Sequence, residues 1–147
     1  MYKHLLVPTD GSKLSDKAVV QAIELAKALG ADITFLHATP AMAQPMYADG
    51  MSVGMISRKE YNQRAKADSA KVLDRVSAKA KTAGIDTKVV HEITDAPWES
   101  IIKVAKKVKA DAIVMASHGR RGLASLLLGS ETTKVLTHST VPVLVVR

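Results

Sequence analysis

The sequence predicts an α/β fold with an open, doubly wound, all-parallel sheet. Strands alternate with helices, each strand is a nearly continuous apolar run, and turn-forming residues separate them. Apolar runs of this kind are buried on both faces, so helices must cover the sheet on either side. With right-handed crossovers, five such strands fit the common winding order 3-2-1-4-5, in which the direction reverses beside strand one. Strands one and four then flank the reversal.

Leu5-Leu6-Val7 reads as the first buried strand, ended by Pro8. Ser12 or Ser15 caps the helix that follows, which carries Val19, Ala22, Ile23, Ala26 and Leu29 at helical spacing and stops at Gly30. Asp32 to Ala38 is the second strand, and Pro40 and Pro45 forbid its continuation. The long connection from Pro40 to Ser57 holds Met42, Met46, Met51 and Met55 and exceeds the roughly 12 to 15 residues usual for a structureless loop. Three readings stay open for it: a lid over a ligand, a subunit contact, or local disorder.

From Arg58 to Ala83 the pattern is helical, with Ala65, Ala70, Leu73, Val76 and Ala80 along one apolar side and Gly84 as terminator. Asp86 to Ile93 is the third strand. Asp95 and Pro97 then open a helix bearing Trp98, Ile101, Ile102, Ala105 and Val108. Ala112 to Met115 is the fourth strand, and after a glycine-rich stretch a short helix runs from about Glu131 to His138. Pro142 precedes the fifth strand, Val143-Leu144-Val145-Val146.

The length of 147 residues suits one domain, 1–147, and an apolar share of 47% with 24% charged residues is that of a globular protein. The net charge of +7 raises nucleic-acid binding. Many lysines, however, lie on solvated helix faces, as Lys103, Lys106, Lys107 and Lys109 do, and aromatic residues for base stacking make up only 3%. Solubility accounts for the charge better. The absence of cysteine excludes disulfides and thiolate metal sites. Met1-Tyr2-Lys3-His4 leads straight into a strand-length apolar run, which is neither a signal peptide nor a membrane span, so a cytoplasmic location is expected.

In open sheets, ligands bind outside the carboxyl ends of the strands at the reversal, here Pro8 to Ser12 and Ala116 to Gly119. The second segment continues as Ser117-His118-Gly119-Arg120-Arg121-Gly122 and closes at Gly129-Ser130 before a helix. Glycines admit close backbone approach, the arginines bring charge, and helix N–H groups without internal partners attract phosphate. Asp10 is the one obvious acid facing this loop, and an Asx-turn or helix-capping role is as well supported as ligand contact. No glycine-lysine-serine or glycine-lysine-threonine triplet occurs, which excludes a Walker A loop. His118 lacks an identifiable acid or nucleophile partner and reads as a loop residue. His4, His37, His91 and His138 lack paired ligand spacing, and Trp98 reads as packing.

Three blocks resemble the universal stress protein family: Leu5 to Ser12, Ala116 to Leu123 with Leu126 to Ser130, and Pro142 to Val146. The resemblance covers the whole chain and implies an adenine nucleotide alpha hydrolase-like fold. Members that bind ATP carry G-x-x-G-x(9)-G-[ST], with which Ala116, Gly119, Gly129 and Ser130 align. By this resemblance Asp10 lies near the ribose or phosphates and helps hold Mg2+. Pro8, Thr9 and Ala38 line the base pocket, Met115 and Ala116 back the nucleotide, and Gly119, Gly129, Ser130 and Glu131 hold the phosphates.

Ala116 stands where the motif has glycine. Its methyl is expected to crowd the ligand or to strain a positive φ, at a cost on the order of 1 kcal/mol. Glu131, in the first turn of the last helix, is expected to point outward, away from phosphate. Strand five would be a bare edge, and related proteins dimerise through it, which implies a homodimer through Val141, Val143, Leu144, Val145 and Val146. The implied function is nucleotide-dependent regulation in stress, with at most slow ATP hydrolysis. The alternatives are a dimeric interaction protein that has lost the nucleotide, and a weak ATPase.

Overall fold

The computed structural model describes residues 1–43, 56–118 and 128–147. Of the positions singled out above, Pro45, Met46, Met51, Met55, Gly119, Arg120, Arg121, Gly122, Leu123 and Leu126 lie outside the described residues. The elements are β1 (His4–Pro8), α1 (Lys13–Leu29), β2 (Asp32–Thr39), α2 (Arg58–Thr82) and β3 (Thr87–Ile93), then α3 (Pro97–Val108), β4 (Ala112–Ala116), α4 (Ser130–His138) and β5 (Val143–Val146). The strands form one sheet in the order β3-β2-β1-β4-β5 with every pairing parallel, as the sequence predicts.

Alternation along the strands divides the core into two layers. Leu5, Val7, Ile33, Phe35, Ala112, Val114 and Ala116 pack with α1 and α2 on one face. Leu6, Leu36, Ile113 and Met115 pack with α3 and α4 on the other. Register is fixed at the amino end of β1, where the Asp111 carboxylate accepts the N–H groups of Lys3 at 2.7 Å and His4 at 2.9 Å. A bidentate pair between Arg75 and Asp16 ties α2 to α1.

Local signals explain the helix ends, and several boundaries move by a residue. Ser12, not Ser15, caps α1, its Oγ accepting the Ser15 N–H at 3.2 Å. Ser57 and Glu60 form a reciprocal capping box at the start of α2. Pro8 closes β1 as its last residue, and β4 extends to Ala116. Val141 precedes β5 and packs against the second core layer, so it is not part of the edge strand as expected.

The inward face of α2 also differs from the expectation. Ala70 is exposed, and Ser69 is fully buried beneath it, its hydroxyl 2.9 Å from His37 Nδ1. Ser77 is buried likewise, 2.7 Å from Thr87 Oγ1. Polar residues serve on this face because each meets a polar partner on the sheet.

Two further histidines bond to threonines within the sheet. His4 Nε2 lies 2.8 Å from Thr34 Oγ1, and His91 Nε2 lies 2.7 Å from Thr39 Oγ1. Burial pushes both rings below the usual histidine pKa. The unfolded chain therefore takes up protons first as the pH falls through about 6.5, and the folded protein follows only at lower pH. Stability should be full above this window and decline below it until the folded rings also protonate. Thermal melts between pH 7.5 and 5.5 should show a loss of a few degrees that His91→Gln lessens; a flat profile would refute the assignment.

Candidate functional site

The carboxyl ends of β1, β2 and β4 open on a cavity of about 200 Å³ that is closed laterally by the amino ends of α3 and α4. It lies at the reversal between β1 and β4, where the topology predicts a ligand. Leu36, Ile101 and Met115 supply an apolar wall, flanked by Pro8 and Ala38. Thr9, Asp10, Ala116 and Glu131 also line it, so these sequence-predicted residues meet in one place. Gly129 and Ser130 stand next to it, at the start of α4.

The β1–α1 turn is held from within. Thr9 is buried, its N–H donates to the Leu36 carbonyl at 2.8 Å, and its hydroxyl lies 3.1 Å from Ser15 Oγ. Gly11 takes φ 77°, a left-handed conformation that favours glycine, and its N–H donates to Thr9 Oγ1 at 3.2 Å. Asp10 Oδ1 accepts the Ser12 N–H at 2.9 Å. This Asx-turn fixes the carboxylate at the cavity wall, so the turn-forming and site-lining roles coexist.

The other side is the junction of β4 with α4. The Gly129 N–H donates to the Ser117 carbonyl at 2.8 Å. Thr132 Oγ1 lies 3.1 Å from the carbonyl oxygens of both Ala116 and Ser117 and donates across them. A Cβ on Gly129 would stand 3.1 Å from the Ser117 oxygen and 3.4 Å from His118 Cα, a tighter contact than most side chains make, so glycine eases this approach. Ser130 begins α4 from an exposed position. Ser117 Oγ lies 2.9 Å from His118 Nδ1, within the bend that leaves β4.

Two expectations about this junction are corrected. Ala116 ends β4 as extended backbone paired with Val146, and Lys109 is the sole non-glycine with positive φ among the described residues. Its methyl belongs to the core layer under α1, so backbone strain does not arise there. Glu131 does not point outward. Its Oε2 accepts the Trp98 N–H at 2.9 Å and its Oε1 lies 3.1 Å from Lys134 Nζ. Ala96, the residue before α3, supplies no side-chain cap, and this carboxylate caps the helix in its place.

Leu36, Ile101, Ser15 and Thr132 are cavity residues that the sequence reading did not assign to the site. Ile101 and Leu36 carried a signal only for core packing. Thr132 had a usable one, a hydroxyl two residues after Ser130 in a helix start. The Trp98 and His138 rings pack together with centroids 4.7 Å apart, consistent with a packing role for both. A second cavity, of about 510 Å³, adjoins the first across Asp10 and Ala38 and is lined by Tyr61, Arg64 and Asp68 of α2. No described helix is long and apolar enough to cross a membrane.

The family model of the universal stress protein family matches residues 1–147. Universal stress protein MJ0531 of Methanocaldococcus jannaschii is 34% identical over 151 residues, an alignment spanning all of this chain and 83% of the relative. The solved structure of MJ0577, from the same organism, superimposes with a TM-score of 0.82 at 26% identity, over 99% of this chain and 96% of that one. A universal stress protein solved in complex with cAMP gives a TM-score of 0.69 at 28% identity, over 99% and 97% of the two chains. With Pro8, Thr9, Asp10 and Ala116 together at the sheet reversal and the family model matched over residues 1–147, the chain belongs to the universal stress protein family.

Proposed function

We propose that this chain binds an adenine nucleotide at the carboxyl ends of β1 and β4 and acts as a nucleotide-dependent regulatory module in stress. One observation carries the reading: a cavity at the sheet reversal whose apolar wall of Leu36, Ile101 and Met115 lies within one ligand's reach of Asp10 and the amino end of α4. The cAMP complex of a family member at 28% identity supports the ligand class.

In this reading Pro8, Ala38 and Met115 flank the base, and Thr9 holds the turn from which Asp10 accepts ribose hydroxyls. Ala116 backs the nucleotide, and Gly119, Gly129, Ser130 and Glu131 offer backbone N–H groups to phosphate. ATP enters with Mg2+, since that ion takes one or two carboxylates together with phosphate oxygens, and Asp10 is such a carboxylate. Any hydrolysis is slow for want of a Walker lysine. The protein works in the cytoplasm as a single domain that dimerises through β5.

Titration calorimetry with cyclic AMP and with ATP plus Mg2+ tests the reading. Saturable binding of either is expected, and no heat at millimolar nucleotide would sink it. A same-fold interaction protein without nucleotide is the second reading, favoured by the Ala116 methyl at the motif's glycine position. Binding that appears only in Ala116→Gly would decide for it.

A further inference from the structure

The carboxyl end of α3 carries four exposed lysines within seven residues, Lys103, Lys106, Lys107 and Lys109. Among the described residues none of them forms an ion pair. Glu99 stands one turn before Lys103 without bonding to it, and Asp111, which follows them, gives its carboxylate to the N–H groups of Lys3 and His4. A helix carboxyl end favours cations, which accounts for Lys106 and Lys107 in the last turn. Lys109 needs a further reason. It lies past the helix at φ 54°, a left-handed conformation for which glycine is the ordinary choice, so the lysine is kept there at a conformational cost.

Lys106 and Lys109 stand on the rim of a cavity of about 80 Å³ between α3 and the turn that leads into β5. Ile102, Ala110 and Val141 form its floor, and all three belong to the second core layer or pack against it. Ser139 holds Val141 in place, its hydroxyl donating to the Val141 carbonyl at 2.6 Å and accepting the Val141 N–H at 3.2 Å. One water needs only about 10–15 Å³ of such space, so the cavity has room for an aliphatic side chain. Residues 102, 106 and 109 succeed one another at helical spacing along this wall, and Lys103 and Lys107 form the adjacent row. The cavity lies at the opposite end of the sheet from the nucleotide site, because α3 ends where β4 begins.

We propose that this face docks an acidic peptide segment of a partner protein, with one aliphatic side chain seated in the cavity and carboxylates on either side of it meeting the lysines. Single exposed ion pairs contribute little, but four like charges on one face raise the local potential and speed encounter with an opposite charge. The recessed apolar floor then selects among acidic partners. Among the described residues no aromatic ring lines the cavity, so a nucleic-acid base has nothing here to stack on. A membrane surface is entered by apolar groups that protrude, and these are recessed. The docking is independent of nucleotide.

The test is fluorescence anisotropy with a labelled Glu-Glu-Leu-Glu-Glu peptide and its counterpart with serine in place of leucine, on the wild-type protein and on Lys106→Gln, Lys109→Gly and Lys17→Gln. A short single-stranded thymidine oligomer and vesicles containing phosphatidylserine serve as competing anions. The wild type should bind the leucine peptide saturably below millimolar concentration, and the serine peptide about fivefold more weakly or worse. Lys106→Gln and Lys109→Gly should each weaken the leucine peptide about threefold or more, whereas Lys17→Gln, a charge removed from exposed α1 surface, should not. Lys109→Gly should at the same time raise the melting temperature, because it relieves the left-handed residue, which separates loss of docking from loss of fold. No saturable peptide binding at millimolar concentration overturns the proposal, as does an equal effect of Lys17→Gln and Lys109→Gly. Serine and leucine peptides of equal affinity overturn the role of the cavity, and tighter binding of the oligomer or the vesicles overturns the choice of partner.

Discussion

Ala38→Phe is expected to abolish nucleotide binding while leaving the fold intact. Ala38 lies near the carboxyl end of β2, two residues beyond Leu36 and so on the same face of the sheet, and both line the cavity with Ile101 and Met115. An aromatic side chain there enters the volume assigned to the base. The strand itself tolerates the change, because aromatic residues suit β-structure and the backbone pairing of Ala38 with Glu92 needs no side chain. Affinity should fall by at least about a hundredfold, or ~2.7 kcal/mol, with the melting temperature within a few degrees of the wild type. Calorimetry and a thermal melt check both halves. Undiminished binding in a folded variant would move the site elsewhere.

Leu144→Lys should convert a homodimer into monomers. β5 is an edge strand, and on it Leu144 is 46% exposed whereas Val146 is buried in the core. The substitution therefore spares the monomer and acts only on what covers the edge. If a second copy does so about a two-fold axis, both lysines enter one interface, and an uncompensated buried charge costs about 3–5 kcal/mol. Dissociation should be favoured more than a hundredfold by that cost. Light scattering should read twice the chain mass for the wild type and the chain mass for the variant. A wild-type monomer, or a variant that remains dimeric, would refute pairing through β5.

The fold was legible because its determinants are local and periodic. Apolar runs at Leu5–Val7, Ala112–Met115 and Val143–Val146 leave little choice but buried parallel strands, and the winding rules then order them. The site was legible where topology alone places residues, as with Pro8, Asp10 and Ala116 at the reversal. What escaped depends on pairing between distant segments. The burial of Ser69 in place of Ala70 follows from His37 on β2, and the inward turn of Glu131 follows from an uncapped α3 that begins 34 residues earlier in the chain, at Pro97. The periodicity of one helix carries no information about the hydrogen-bonding needs of another element. The glycine motif likewise suggested strain at Ala116, whereas pairing with Val146 keeps that residue extended.

The bonds from Gly129 and Thr132 to the end of β4 have a consequence for how the chain tolerates insertions. Because the Ser117 carbonyl receives both the Gly129 N–H and the Thr132 hydroxyl, the two ends of the intervening segment are fastened to each other independently of what lies between them. Doubling the length of such a closed segment costs only about 0.6 kcal/mol in closure entropy. The seating of α4 on the sheet therefore does not depend on the segment between these anchors, and an insertion there should leave α4 and β4 in register even where it removes the motif's spacing.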